Sequence, residues 1–169
     1  EELKRIIAEF GEERASGRIA REIARERARG AIRGTLQLAG IVSRAAGGRH
    51  GRIHPATRTF QALRIAVNAE LDALARGLEA GLSLLAPGGR MGVISFHSLE
   101  DRLVKNCFRE HAGSSESLHE GGSRFRFKPP LVRIVTKKPV TASEAELAGN
   151  PRSRSAKLRV AERTAEVAQ

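Results

Sequence analysis

Apolar residues Leu3, Ile6, Ile7, Phe10, Ile19 and Ile23 recur at near-helical intervals in the first part of the chain. Gly11 is expected to interrupt that helix and Gly17 to weaken it, while Gly30 and Gly34 close the segment. Thr35 suits the cap of a second helix with Leu36, Leu38, Ile41 and Val42 on its buried side. Residues 45–55, AAGGRHGRIHP, read as a Gly-rich basic loop, and Pro55 fits the first turn of a third helix. That third pattern runs to Leu85, with a wide apolar face of Phe60, Leu63, Ile65, Val67, Leu71, Leu74, Leu78, Leu82 and Leu85. It is long for one helix, so a break is expected at 67–69. Ala86-Pro87-Gly88-Gly89 ends it.

Beyond that stop the period changes. Residues 91–96, MGVISF, are a short apolar run that reads as a buried strand. His97 or Ser98 leads into a helix over 99–111 with Leu99, Leu103, Cys107 and Phe108 on its inner face. Residues 113–123 are Gly/Ser-rich and read as a mobile loop. A second strand is expected at 131–135, then a short helical turn capped by Thr141 or Ser143 with Glu144 and Glu146 in its first turn. A third strand is expected over 156–162, with Leu158 and Val160 facing one way and Lys157 and Arg159 the other, half exposed. There are no internal repeats. Helices followed by β-α-β-β indicate an α/β or α+β chain, not an all-helical one. The helix–PGG–strand–helix unit is that of doubly wound sheets, but the strands are too few, so the sheet reads as the back half of a larger one.

At 169 residues the chain is one domain, or one domain with an insertion. With 40 % hydrophobic and 29 % charged residues it is not a wholly disordered chain. No run of about 18 apolar residues is present, so no membrane-spanning helix is expected. The chain opens at Glu1 with EELKRIIAEFGEER, so neither a signal nor a transit peptide is expected, and a start inside a helical pattern suggests a piece of a longer protein. The single cysteine, Cys107, excludes an internal disulfide framework and a Cys-rich zinc site, and it fits a reducing compartment.

Charge changes the picture more. Lys and Arg number 30 against 19 Asp and Glu, a net charge of +11. Such an excess points to a polyanionic partner, nucleic acid first and an anionic membrane surface second. The lack of a Trp/Lys-rich amphipathic face speaks against the membrane. Up to Glu26 acids and bases interleave, as in Glu22 and Arg25, which reads as a solvated helix face. From Arg27 to Ala69 there is no acid, and Arg27, Arg29, Arg33, Arg44, Arg49, Arg52, Arg58 and Arg64 fall there. Windows 121–140 and 150–159 are also acid-free and basic. Three such windows make a phosphate-binding surface the expected use. With no Trp or Tyr, base stacking falls to Phe, His or Arg.

Three segments are distinctive together: HPATRTFQALRIAVNAEL at 54–71, GGRMGVISFHSLEDRLVK at 88–105 and NPRSRSAKLRVAER at 150–163. In this order and spacing, and with GEERASGRIAREI at 11–23, they closely resemble the RsmH (MraW) family. The likeness spans nearly the whole chain and is weakest at 112–131. It implies an enzyme that uses S-adenosyl-L-methionine to methylate N4 of a cytosine in the decoding region of bacterial small-subunit rRNA. Mitochondrial relatives act on the corresponding rRNA. It also implies small-subunit rRNA or the small ribosomal subunit as partner, and a cytoplasmic location. The family begins with a methyltransferase half that carries the glycine-rich turn and the ribose-gripping acid. Here neither Gly47-Gly48 nor Gly88-Gly89 is followed by the turn–helix pattern of such a βαβ unit. The resemblance therefore implies α/β architecture: the second half of a Rossmann-like methyltransferase sheet plus an inserted all-helical region. Residues 1–54 would be the helical insertion and 55–169 the C-terminal part of the methyltransferase domain. The cofactor site is expected mostly in the absent half, and this chain alone is expected to be inactive. A half-sheet exposes an apolar edge and face, so dimerisation, domain exchange or poor solubility is expected.

Cytosine N4 is a poor nucleophile because its lone pair is conjugated with the ring. An enzyme must hold it in line with the methyl group and supply an acceptor for the amine hydrogens. No covalent intermediate is needed, so Cys107 reads as core. SFHSLEDR is the best site, at the C-terminal end of a strand, with Ser95, Phe96, His97 and Ser98 as catalytic candidates. Phe96 would stack on the base, His97 and Ser98 would hydrogen-bond it, and the helix N-terminus favours a phosphate. The plainer alternative is a helix cap, Ser98 with Asp101 three residues on and Arg102 paired to an acid. RNA contact is expected of His54, Arg58 and Arg64, with Gln61 and Asn68 on the same helix face, and of Arg102 and Lys105. It is also expected of Arg152, Arg154, Lys157 and Arg159, whose alternation would put several on one exposed strand face. Against these stand a stapled helix start at His54, an Asn68 satisfying buried polar groups, and pairing of the last four with glutamates of the first helix. The five histidines show no ligand spacing with carboxylates, so no metal is expected. The alternative function is a non-catalytic basic RNA-binding module derived from this fold, with no use for the cofactor.

Overall fold

Helices α1 (Glu2–Gly11), α2 (Ser16–Arg29), α3 (Thr35–Ala45) and α4 (Thr57–Asn68) occupy the first part of the chain. The computed structural model describes residues 1–47, 54–113, 115–118, 122–125 and 130–164, with 115–118 and 122–125 described by backbone alone. Most of the Gly-rich basic loop, with Arg49 and Arg52, and Lys128 with Arg126 lie outside the described residues. Packing divides the chain into two units, Glu1–Glu70 and Leu71–Gln169. The division falls after Glu70, and within the first unit α4 packs on α1.

In the first unit Ile7, Ile19, Ile23, Ile41, Val42 and Ala56 form one buried cluster. Ile19 and Ile23 recur at the helical spacing that lays one apolar stripe of α2 against its neighbours. Gly11 does not itself break the first helix. It is the last residue of α1, and the break lies at Glu12, in the left-handed region at φ 48°. Gly11 has a different physical reason: a Cβ there would stand 2.8 Å from the Arg58 carbonyl oxygen and 3.3 Å from Ala62 Cβ. Only glycine lets α1 and α4 approach that closely. Thr35 is not a cap; Gly34 holds that position without a side-chain bond, and Leu36 is 87 % exposed instead of buried. Pro55 sits in the turn just before α4. The long helix does break as expected, at Ala69 with φ 49°, between α4 and α5 (Glu70–Leu84).

In the second unit α5 is followed by β1 (Arg90–Ser95), α6 (Ser98–His111), β2 (Ser115–Leu118), β3 (Gly122–Phe125), β4 (Val132–Ile134), β5 (Val140–Thr141), α7 (Glu144–Gly149), a 3₁₀ turn (Pro151–Ser155) and β6 (Lys157–Arg163). β6 is the central strand. β1 lies antiparallel along one edge of it, and β4 and β5 lie antiparallel along the other. β1 and β4 therefore run parallel to each other with an opposed strand between them. Neighbouring strands are all antiparallel, which differs from the purely parallel pairing of a doubly wound sheet. β2 and β3 pair as a separate hairpin within the segment read as a loop. Leu78, Leu82, Val104, Cys107, Phe108, Val132 and Ala161 make the core between helices and sheet. On α6 Val104 and Phe108 are buried, while Leu99 and Leu103 are half-buried at its flank. Gly88, at φ 78°, turns the chain from α5 into β1. There the Gly88 N–H donates to the Arg163 carbonyl and the Arg163 N–H to that of Gly89, which extends the ladder.

Strand β6 has its faces opposite to expectation. Arg159 and Ala161 are buried, and Leu158 and Val160 are half-buried. Arg152 and Arg154 are exposed on the 3₁₀ turn, not on the strand. Ser143, not Thr141, caps α7 by accepting from the Glu146 N–H.

Candidate functional site

Strand β1 delivers Ser95 to its C-terminal end, and the chain turns through Phe96 and His97 into α6. The cap of α6 is His97, not Ser98, and its partner is Glu100, not Asp101. His97 Nδ1 accepts from the Glu100 N–H at 3.3 Å. Glu100 Oε2 accepts from the Phe96 N–H at 2.8 Å and the His97 N–H at 3.2 Å. This is a capping box with histidine in the usual place of Ser or Thr. His97 Nε2 is buried 3.3 Å from Glu100 Oε1, without the alignment of a hydrogen bond. Ser95 is buried too, its Oγ donating to the Lys157 carbonyl at 3.4 Å.

Phe96 is the reverse case, 57 % exposed on a turn whose backbone is pinned on both sides. Ser98 is exposed in the first turn of α6. Glu100 and Asp101 place two carboxylates in that turn, so the partial positive end of the helix is already met by protein acids. A phosphate at that terminus, expected from the helix alone, is therefore not favoured.

Asp101 fixes the back of the turn. Arg159 grips it in a fork, Nε to Oδ1 at 2.7 Å and Nη2 to Oδ2 at 3.1 Å. Lys157 Nζ stands 3.7 Å from Oδ2. The Arg159 guanidinium, more than the burial that opposes it, holds the Asp101 carboxyl below its ordinary value. Arg159, expected on an exposed face, is 8 % exposed and committed to this pair.

Other expected RNA-contact residues also have internal partners. Arg58 donates to the Glu12 carbonyl at 3.4 Å and Gln61 to that of Phe10 at 3.1 Å, satisfying carbonyls at the end of α1. Arg64 holds Glu70 by two bonds of 2.8 and 2.9 Å, and Asn68 donates to the same carboxylate at 3.2 Å. Asn68 is thus an exposed helix-end residue, not one serving buried groups. His54 Nδ1 accepts from the Ala56 N–H at 3.1 Å. Arg102 is exposed on α6 and Lys105 half-buried.

A second constellation was missed. Glu79 of α5 meets Cys107 and His111 of α6, with His111 Nε2 3.1 Å from Glu79 Oε2 and Cys107 Sγ 3.7 Å from Glu79 Oε1. The only sequence signal is the i,i+4 spacing of Cys107 and His111; Glu79 is remote in sequence. Burial, then the Glu79 charge, pushes the Cys107 thiol up to about 11, so it is a protonated core group at neutral pH and no nucleophile.

The sequence model of the MraW methylase family matches residues 1–164. The chain belongs to that family. It is 52 % identical over 169 residues to the ribosomal RNA small subunit methyltransferase H of Caulobacter sp. (strain K31), covering 96 % of this chain and 51 % of that protein. Identity to the Geobacter sulfurreducens protein of the same name is 56 % over 164 residues, covering 96 % of this chain and 53 % of the relative. For the Thermomicrobium roseum protein of that name it is 53 % over 165 residues, 98 % and 51 %. The chain spans about half the length of the curated relatives it matches. Two of the segments that carry the MraW likeness meet in the second unit. Residues 88–105 contribute Asp101 and residues 150–163 contribute Arg159. No described helix is long and apolar enough to cross a membrane.

Proposed function

We propose that this member of the MraW methylase family is the C-terminal half of an rRNA methyltransferase. The whole enzyme transfers a methyl group from S-adenosyl-L-methionine to N4 of a cytosine in the decoding region of small-subunit rRNA. The observation that carries the reading is the family match over residues 1–164. The sheet is compatible with it: the second edge of β1 has no partner strand among the described residues, and a longer sheet would continue there. On this reading 1–54 is a helical insertion and 55–169 the back half of a Rossmann-like domain.

The described residues do not build a cradle for S-adenosyl-L-methionine. The β1–α6 turn has no glycine, and its Phe96 and His97 N–H groups are taken by Glu100. The Gly88 and Gly89 N–H groups are taken by the carbonyls of Arg163 and Ala86. What this chain supplies is the substrate side. Phe96 offers an exposed ring on which a cytosine flipped from its stack can lie. Glu100 holds the Phe96 N–H while His97 and Ser95 turn inward beside it, and Ser98 reaches the base edge. Arg58, Arg64, Arg102, Lys105, Arg152, Arg154 and Lys157 contribute the positive field that draws rRNA, with Arg152 and Arg154 exposed on the 3₁₀ turn, and His54 adds a hydrogen-bonding contact. Arg159 acts through Asp101 as a positioning residue. The cytoplasm is the compartment where this substrate is met.

Methyl transfer from labelled S-adenosyl-L-methionine to small ribosomal subunits tests the reading. The chain alone should give none. The chain mixed with the other half of the Caulobacter relative should label cytosine N4, and Phe96→Ala should lower transfer more than it lowers RNA binding. Salt-dependent RNA binding without transfer in either case would favour a basic RNA-binding module instead.

A further inference from the structure

The Glu79, Cys107 and His111 side chains lie outside the β1–α6 turn and have no part in the proposed reaction. His111 Nδ1 is 2.9 Å from the Cys107 carbonyl oxygen, which only accepts, so Nδ1 carries a proton and Nε2 is the ring nitrogen turned to Glu79. Nε2 stands 3.1 Å from Glu79 Oε2. Cys107 Sγ faces the other oxygen of the same carboxylate at 3.7 Å and lies 3.8 Å from His111 Nδ1. One ligand atom from each residue falls within 4.8 Å of the others. The Cys107 thiol donates to Glu79 Oε1, and a divalent cation in place of that proton would draw on all three side chains.

We propose that Glu79, Cys107 and His111 form a binding site for a borderline-soft divalent transition-metal ion, of which zinc is the type. Sulfur, imidazole nitrogen and carboxylate oxygen are the donor set that zinc takes. Zinc bonds of about 2.0–2.3 Å put tetrahedral ligand atoms roughly 3.3–3.7 Å apart; here Nε2 and Sγ lie 3.1 and 3.7 Å from the two Glu79 oxygens, and the three ligand atoms fall within 4.8 Å of one another. The bond from Nδ1 to a backbone carbonyl is the outer contact that ligating histidines usually make, and it orients the ring. Access is open. Glu79 is exposed, and Glu79 and Cys107 line a groove of about 390 Å³ beside Leu71, Leu99 and Leu103. Three protein ligands leave the fourth position to water. On binding, the thiol proton passes to solvent and Sγ bonds the metal as thiolate.

Titration of the reduced chain with zinc chloride tests the site, with cobalt(II) as the spectroscopic probe. One-to-one zinc binding is expected, and with cobalt a sulfur-to-metal charge-transfer band and the strong visible bands of a tetrahedral ion. Cys107→Ser should abolish the charge-transfer band, and His111→Gln and Glu79→Gln should each weaken zinc by at least about tenfold. Glu144→Gln, on exposed α7, should bind as the unaltered chain does. Glu79→Gln is a surface change that spares the core, so it keeps the test informative if Cys107→Ser does not fold. Zinc should raise the melting temperature of the chain but not that of Glu79→Gln. No saturable zinc binding, or binding that all three substitutions leave unchanged, would overturn the proposal.

Discussion

The two units handle charge in opposite ways. Among the described residues of Glu1–Glu70 most ion pairs form within one turn of helix: Arg5 with Glu9, Arg25 with Glu22, Arg29 with Glu26. In Leu71–Gln169 they form across the fold. Arg159 reaches back to Asp101, and Arg90 and Arg133 take Glu162 from two neighbouring strands. The register sets Arg90, Glu162 and Arg133 side by side across β1, β6 and β4. Arg133 first, and then Arg90, holds the Glu162 carboxyl below its ordinary value. Net charge alone therefore does not say which arginines are open to a polyanion. In the helical unit a local pair adds little to the fold, whereas in the sheet unit a buried pair fixes how strand and helix meet.

The largest expected effect that separates the two is at Asp101. Asp101→Ala leaves the Arg159 guanidinium buried without its counter-ion and should destabilise the chain by about 3–5 kcal/mol, read from denaturant midpoints. The pH dependence has a definite sign. The folded carboxyl lies below its unfolded value of about 3.9, so its stabilisation is complete above that pH and is lost as pH falls through the folded value. The gap between the chain and Asp101→Asn should therefore narrow in acid and stay constant at neutral pH.

Gly11→Ala comes next. It drives a Cβ into the Arg58 carbonyl and should cost roughly 1–3 kcal/mol, seen as a lower melting temperature of the helical unit. His97→Ala removes one half of a capping box and should cost about 1 kcal/mol. Glu22→Gln, in an exposed helix pair, should change stability by no more than about 0.5 kcal/mol. A Glu22→Gln effect as large as that of Asp101→Ala would erase the contrast between the units. For binding, removal of Arg152 and Arg154 together should flatten the salt dependence of RNA affinity by about 0.7 per lost phosphate contact.

What was legible in the sequence follows the same division. Local spacing gave the helices, the stop at Ala86-Pro87-Gly88-Gly89, and the pairing of Glu22 with Arg25, because each depends on residues a few positions apart. The break after Asn68 was visible as excess helix length. Strand pairing was not visible, and the face of β6 was assigned the wrong way round. Alternation gives a strand two faces but not which one meets the helix, and Asp101 decides that from 58 positions away. The turn at residues 95–98 was found from its place after a strand. The inward-facing His97 was not, because histidine is an unusual capping residue and Ser98 beside it is a common one. Glu79, Cys107 and His111 escaped for the reason Arg159 did: the partner comes from another element.

The proposal that this chain supplies the substrate side of a methyltransferase, with the cofactor held elsewhere, is tested most directly by calorimetric titration of the 169 residues with S-adenosyl-L-methionine. Calorimetry suits a chain with no Trp or Tyr to report by fluorescence. No saturable heat is expected at any usable concentration. Saturable one-to-one binding by this chain alone would contradict the proposal and place the cofactor site within these residues.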